Sequence, residues 1–97
     1  MERITVGMLQ AVVDRINRMT GSPMAPWEKA PEGSVRSHNA CIGNYHLDGA
    51  YSGYALHRMV NDGGGIEAII NGYRPKRELL DMMHAYIRGI EAKAVQS

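Results

Sequence analysis

The sequence contains no phenylalanine, one tryptophan and one cysteine, while seven of its 97 residues are methionine. Methionine is unbranched and flexible, so we expect a core filled largely by thioethers instead of rigid rings. The single cysteine, Cys41, excludes an intrachain disulfide, and a chain without disulfides is typical of a reducing compartment. We therefore predict a cytoplasmic setting.

The sequence also lacks a strong net charge and a long apolar run. Eleven lysines and arginines against ten aspartates and glutamates give a net charge of +1, which excludes a polybasic nucleic-acid binder and an acidic DNA mimic. No apolar run approaches the ~20 residues that span a bilayer, and the charged N-terminus is unlike a signal peptide. The prediction is one globular domain, residues 1–97, without membrane contact.

A first helix is predicted over residues 5–20. Thr5 is suited to be its N-cap, and Gly21 followed by Pro23 marks its end. The apolar residues recur at helical spacing, at Leu9, Val12, Val13, Ile16 and Met19.

Residues 21–36 are predicted to form a loop, because three prolines interrupt regular structure there. The loop holds the only tryptophan, Trp27. One interpretation is a lid that packs Trp27 onto the core, since large aromatic side chains are mostly buried. The other is an exposed anchor for a partner.

A β-hairpin is predicted over residues 36–48, with its turn at Gly43-Asn44. This register sets Cys41 directly opposite His46. The side chains then divide between two faces: Ala40, Ile42, Tyr45 and Leu47 towards the core, and Asn39, Cys41, His46 and Asp48 away from it.

The second half of the chain is predicted to be mostly helical. Residues 50–62 show an apolar stripe at helical spacing, and the triple glycine at 63–65 is expected to end that helix. Residues 66–70 fit either a short strand or a helical turn, and Asn71-Gly72 signals a turn. Pro75 then suits the first turn of a last helix, residues 75–94.

The predicted fold class is α+β: a small antiparallel sheet, made of the hairpin and a third short strand, packed against three helices in the order α-β-β-α-(β)-α. The apolar stripe of the last helix is wide for so small a domain, so a second copy of the chain is one expected partner. Its members are Leu79, Leu80, Met83, Tyr86, Ile87, Ile90 and Ala94.

The predicted outer face of the hairpin brings Cys41, His46 and Asp48 together. A thiol beside an imidazole that a carboxylate orients is the beginning of a cysteine nucleophile, but the sequence shows no oxyanion hole. The histidines and the cysteine also lack the spacing of a metal site. We predict that the chain is not an enzyme and has no catalytic residue, no metal site and no cofactor.

Two further motifs suggest anion binding. The triple glycine resembles a phosphate loop, but it follows a predicted helix instead of opening one, so the helix-end interpretation is favoured. Arg74, Lys76 and Arg77 cluster next to Tyr73 at the start of the last helix. A solvated helix face explains them, although cations at a helix N-terminus oppose the macrodipole, which suggests an acidic partner or a nucleic acid.

The central stretch resembles a group of small proteins encoded by bacteriophages and prophages. The likeness lies in Gly43-Asn44-Tyr45-His46-Leu47, Ala50-Tyr51-Ser52-Gly53-Tyr54, Leu56, Met59-Val60-Asn61, Gly63-Gly64-Gly65, Lys76-Arg77-Glu78-Leu79 and Ile87-Arg88-Gly89-Ile90. The resemblance implies an accessory protein that acts in the bacterial cytoplasm, and it implies no catalytic or binding residue. Small phage proteins of this kind often bind and block a host protein.

The predicted function is therefore a phage-encoded binding protein that inhibits or modulates a host protein complex, with a defence system of the CRISPR–Cas type as one target. The alternative is a nucleic-acid or nucleotide binding accessory protein. The residues expected to contact the partner are Trp27, His46, Asp48, Arg58, Asn61, Tyr73, Arg74, Lys76 and Arg77.

Overall fold

The computed structural model of the protein describes residues 3–96. In chain order its elements are α1 (Val6–Thr20), β1 (Trp27–Lys29), β2 (His38–Ala40), β3 (Tyr45–Ala50), β4 (Gly53–Met59), β5 (Ile66–Arg74) and α2 (Lys76–Gln96). β1 and β2 form a two-stranded antiparallel sheet, and β3, β4 and β5 form a three-stranded one in that order. The fold is α+β, but it has two helices among the described residues, so the prediction of three helices is wrong.

The first predicted helix is confirmed, and so are both of its ends. The Thr5 hydroxyl accepts a hydrogen bond from the backbone N–H of Met8 at 3.1 Å, as an N-cap does. At the other end Gly21 adopts a left-handed φ of 69°, which a residue with a Cβ disfavours. Leu9, Val13 and Ile16 are fully buried beneath the helix.

The predicted helix over residues 50–62 is wrong, because this segment is mostly the strand β4. The strand is entered through a two-residue turn in which Tyr51 and Ser52 both have positive φ, 51° and 61°, as a type I′ hairpin turn requires. β4 is the middle strand, and it buries side chains on both of its faces. Its apolar residues therefore do not alternate, and their spacing matches that of a helix by coincidence.

The predicted hairpin register is also wrong. β3 pairs with β4, which places Tyr45 opposite Arg58 and His46 opposite His57, and β2 pairs with β1. Gly43 and Asn44 do lie in a tight turn, where Gly43 has a φ of 94°. That turn connects two different sheets instead of two strands of one hairpin.

Of the two alternatives for residues 66–70, a strand and a helical turn, the strand is confirmed. It is β5, which continues to Arg74. The predicted turn at Asn71-Gly72 is therefore inside a strand. The triple glycine does not end a helix, because it belongs to the loop that joins β4 to β5. Asn61 shapes this loop: its side-chain oxygen accepts hydrogen bonds from the N–H groups of Gly63 and Gly65, at 3.0 and 2.8 Å.

Both helices pack on one face of the three-stranded sheet. The core between them joins residues of α1, of α2 and of the sheet, among them Tyr45, Leu56 and Ile70. The predicted stripe of the last helix is largely used here, since Leu79, Leu80, Met83 and Ile87 are buried in that core and Tyr86 and Ile90 pack against it. Homodimerisation stays a prediction, but this stripe is covered by the chain's own core.

A buried amide ties α1 to the sheet. Asn17 has no exposed surface. Its Nδ2 donates to the backbone oxygen of Tyr45 at 3.0 Å, and its Oδ1 accepts from the N–H of Tyr45 at 2.8 Å. Asn17 thus takes the place that a neighbouring strand would take at this point of the outer edge of β3.

The pairing of β5 with β4 is interrupted twice. Leu56 is opposite Ile70 while the next residue, His57, is opposite Ala68, so β5 carries an extra residue there. A second irregularity lies between the Tyr54–Arg74 and Leu56–Ile70 pairs, where Gly72 has a φ of 79°. The first bulge shifts the alternation of β5 by one residue, so Ala68 and Tyr73 face the same side although they are five residues apart.

Candidate functional site

The face of the three-stranded sheet that the helices leave uncovered carries a polar group of side chains. It consists of His46 and Asp48 on β3, His57 on β4 and Tyr73 on β5, and we call it the open-face network. The predicted outward orientation of His46 and Asp48 is confirmed, since Tyr45 and the intervening Leu47 pack against the helical core instead. All three strands contribute, so the site exists only when the sheet is assembled.

The network is continuous across the sheet. The Tyr73 hydroxyl donates a hydrogen bond to Oδ2 of Asp48. The same carboxylate oxygen lies 4.0 Å from Nδ1 of His57, so the two form an ion pair when His57 is protonated. His57 in turn meets His46 edge to face, with ring centroids 6.0 Å apart.

The contact between Tyr73 and Asp48 spans the middle strand. Outer strands of a three-stranded sheet lie about 10 Å apart, within reach of a tyrosine and an aspartate side chain together. Ala55, which is opposite Asp48 on β4, leaves room for this contact because its side chain is small. The bulges in β5 place Tyr73 on this face, and bulges often re-aim a side chain in this way next to functional sites.

The network shifts the proton affinities of two of its members. The pKa of His46 lies below its ordinary value, first because burial disfavours the charged ring and second because His57 is close. Its Nδ1 is buried and has no hydrogen-bond partner in the part of the chain that the structure describes. The pKa of Tyr73 is raised, chiefly because its hydroxyl donates to the Asp48 carboxylate.

The lowered pKa of His46 predicts that stability falls as the solution becomes acidic. Between the unfolded value, about 6.5, and the lower folded value, the unfolded chain binds a proton that the folded chain does not bind. The free energy of unfolding is therefore lost as pH falls through this window. Urea denaturation of wild type and His46→Gln at about pH 7.5 and 5.5 measures the effect.

We expect His46→Gln to lose less stability on acidification than wild type. His38→Gln is the matched control, because His38 is exposed on β2 and, among the described residues, its ring hydrogen-bonds only to its neighbour Ser37. A His46→Gln variant that loses as much stability as wild type between the two pH values would contradict the prediction.

The predicted pairing of Cys41 with His46 does not occur. His46 is opposite His57, and Cys41 lies in the turn after β2. The pKa of the Cys41 thiol is raised, mainly by burial and further by the nearby Glu28 carboxylate, whereas a nucleophilic cysteine needs a lowered one. Among the described residues no group of three histidine, cysteine or carboxylate side chains has the geometry to hold a metal ion.

A second surface lies where the loop between β4 and β5 meets the small sheet. The backbone N–H of Ala40 donates a hydrogen bond to the backbone oxygen of Asp62 at 2.9 Å. The N–H of Gly43 donates to the backbone oxygen of Met59 at 2.8 Å. Together with the bond from the Cys41 N–H to the backbone oxygen of Pro26, these bonds bring three chain segments close to one another. We call the exposed apolar residues on these segments the apolar end: Met24, Trp27, Ile42, Val60 and Ile66.

Trp27 is 46% exposed, so it is not the buried lid of the first interpretation. Its ring lies against Gly64: a Cβ on that glycine would lie 2.8 Å from the Trp27 Cη2 atom. Gly64 also has a φ of 97°, which favours glycine. Glycine at position 64 therefore allows the backbone conformation of the loop and leaves space for the indole ring.

Two of the predicted contact residues are engaged in holding the fold. Arg58 lies on the helix-facing side of the sheet, with its guanidinium 5.8 Å from the centre of the Tyr45 ring and 3.4 Å from the Glu67 carboxylate. Asn61 shapes the loop between β4 and β5 through its two hydrogen bonds. Both side chains thus have structural roles.

The residues of the predicted basic group at the start of α2 have different surroundings. Tyr73 is bound to Asp48, and Arg74 reaches Oε1 of Glu78 at 2.7 Å and the backbone oxygen of Asn71 at 3.0 Å. Arg77 is exposed and also has an interaction within the chain. Lys76 is half-buried and lines a recess near the turn between β3 and β4.

Two residues at or next to the open-face network, His57 and Tyr51, are not predicted from the sequence. His57 was assigned to a helix, although its place in the open-face network follows once β4 is paired with β3. Tyr51 is 90% exposed and its ring lies edge to face with Tyr73, 5.4 Å between centroids. The signal for Tyr51 is its place in the Tyr-Ser pair between two strands, which requires a turn.

No helix among the described residues has the length and apolar character to cross a membrane. Comparison of the chain with protein-family models, with curated proteins and with solved structures gives no match.

Proposed function

We propose that this chain is a small phage-encoded binding protein that acts in the bacterial cytoplasm, where it inhibits or modulates a host protein complex. A defence system of the CRISPR–Cas type is the proposed kind of target. The phage origin rests on the resemblance of the central stretch, and the protein-binding role rests on the apolar end.

The apolar end is the observation that carries the proposal. Its five side chains are each between 42% and 57% exposed. Grouped exposed apolar side chains mark interaction sites more often than scattered ones do. Tryptophan is among the residues that dominate binding energy at interfaces.

Charged side chains lie beside the small sheet and the loop of the apolar end, as at the rim of a protein interface. Arg36 lies 3.3 Å from the Asp62 carboxylate beside the loop between β4 and β5, and Glu28 and Lys29 follow Trp27 on β1. Pairs of opposite charge at a rim contribute to the choice of partner more than to affinity.

The experiment is affinity capture from host lysate, followed by a titration of the captured protein after its purification. We expect wild type to enrich one host protein or complex. Trp27→Ala is expected to weaken the purified interaction by about 30-fold, which corresponds to the ~2 kcal/mol of an interface hot spot.

Val35→Ala is the matched control, because Val35 is a fully exposed apolar side chain outside the apolar end. It should bind as wild type does, and thermal unfolding of all three proteins should show that each is folded. Equal affinity of Trp27→Ala and Val35→Ala, or capture of no specific protein, would overturn the proposal.

A further inference from the structure

A recess of about 430 Å³ lies at the other end of β4 from the apolar end. It is formed by the turn between β3 and β4 and by the start of α2, and its volume is in the range of small-molecule sites, ~300–1,000 Å³. The residues that line it are Gly49, Ala50, Ser52, Gly53, Tyr54 and Lys76.

The walls of the recess contain donors and an aromatic ring but no carboxylate. Lys76 supplies an ammonium group, and Ser52 and Tyr54 supply hydroxyl groups. None of these three side chains has a hydrogen bond or an ion pair within the part of the chain that the structure describes. A surface that offers several unpaired hydrogen-bond donors, and no carboxylate to repel a negative charge, is suited to an anion.

Of the three cations at the start of α2, Lys76 is the one without a hydrogen bond or ion pair among the described residues. The neighbouring Arg74 is paired with Glu78, and Arg77 is also engaged within the chain. Lys76 is half-buried at the first position of α2, where its positive charge opposes the helix dipole and slightly destabilises the helix. A bound anion would remove that cost.

The shape of the recess indicates the rest of the ligand. The ring of Tyr54 lies against Gly49, whose Cβ, if it had one, would be 3.3 Å from the Tyr54 Cε1 atom. The ring thus packs over Gly49 and against the helical core, and its remaining surface lines the recess. An aromatic wall next to a lysine fits a planar base linked to a phosphate, because every base can stack on such a ring.

We infer that this recess binds the phosphate group of a nucleotide, with Lys76 as its counter-ion and Tyr54 beside the base. The phosphate belongs either to a free mononucleotide or to a nucleic-acid strand, and both offer the same chemistry to Lys76. The site is separate from the apolar end, so its test does not depend on the proposed protein-binding function.

The test is a titration of the ¹⁵N-labelled full chain with adenosine 5′-monophosphate, followed by amide chemical shifts. We expect saturable shifts centred on Gly49, Ser52 and Gly53. Adenosine, which lacks the phosphate, and the variant Lys76→Gln should each bind at least about tenfold more weakly, as the loss of a charged hydrogen bond implies. Lys76→Arg should retain binding because it keeps the charge.

Lys93→Gln is the matched control, since Lys93 is an exposed lysine in the last turn of the same helix. It should bind like wild type. A dT12 oligonucleotide that binds more tightly than the mononucleotide and loses binding in Lys76→Gln would identify a strand as the source of the phosphate. Equal binding of the nucleotide and adenosine, binding unchanged in Lys76→Gln, or shifts outside the recess would overturn the inference.

Discussion

Replacement of Asn17 by alanine is expected to lower the free energy of unfolding by about 2–4 kcal/mol. The substitution leaves the buried N–H and C=O of Tyr45 without the two partners that Asn17 supplies at 2.8 and 3.0 Å. It also leaves a void where the fully buried amide was. Each unpaired buried group costs about 1–3 kcal/mol, so this one side chain accounts for a large share of the stability of a small domain.

Urea denaturation, with the slope held equal between variants, measures the effect. Asn71→Ala is the control, because Asn71 is exposed and its side chain has no hydrogen bond among the described residues. It should change the free energy of unfolding by no more than about 0.5 kcal/mol. A loss below about 1 kcal/mol in Asn17→Ala would show that the amide does not hold α1 on the sheet.

Replacement of Gly53 by alanine is expected to cost about 1–3 kcal/mol, the range for overpacking a filled site. A Cβ at this position would lie 2.9 Å from the backbone N of Arg74 and from the backbone C of Tyr73, and 3.0 Å from the carbonyl oxygen of Arg74. Backbone atoms cannot turn away as a flexible side chain can. β5 must therefore move, and Tyr73 should move away from Asp48 with it.

Thermal unfolding of the Gly53→Ala variant measures the cost, and the Tyr73 hydroxyl provides a local readout. When its bond to Asp48 weakens, the raised pKa of Tyr73 should return towards the ordinary value, which an ultraviolet titration detects. The control is Gly89→Ala, since a Cβ on Gly89 would meet nothing within 4 Å and alanine favours the helix by up to ~1 kcal/mol. Equal stability of the two variants would contradict the prediction.

Sequence reasoning identified the two helices because each carries local signals for its limits. Thr5 and Gly21 mark the ends of α1 through hydrogen bonds and a backbone conformation that depend on those residue types. Pro75 precedes α2, and its carbonyl accepts from the N–H of Leu79 at 3.0 Å. Such signals depend on neighbours in the sequence and need no knowledge of the rest of the fold.

The middle of the chain was misassigned because its signals depend on partners. β4 is the middle strand and buries side chains on both of its faces, so Ala55, Leu56 and Met59 are all buried. A strand buried on both faces has no alternation of its own. Gly43-Asn44 has the composition of a hairpin turn, but the strands that follow and precede it pair elsewhere.

The candidate sites are only partly predictable from the sequence, because some of their residues depend on strand pairing. The outward orientation of His46 and Asp48 needs only the alternation within β3, so it was recovered even with the wrong partner strand. The role of His57 needs the register of β4, and the position of Tyr73 needs the bulges of β5. Bulges depend on tertiary packing, which single-sequence patterns do not reveal.

The bulges of β5 and the amide of Asn17 have a joint consequence for concentrated solutions. The outer strands of a sheet can template intermolecular strand addition, which leads to aggregates. The apolar run Ile66–Ile70 has a composition prone to such strand addition. The bulges of β5 disrupt the regular spacing of backbone N–H and C=O groups that an incoming strand would need. At the other edge, a strand that pairs with β3 would have to displace Asn17. Natural sheets protect their edges in both ways. Association with other molecules is therefore expected through side chains, whereas both edges of the three-stranded sheet disfavour backbone pairing with another strand.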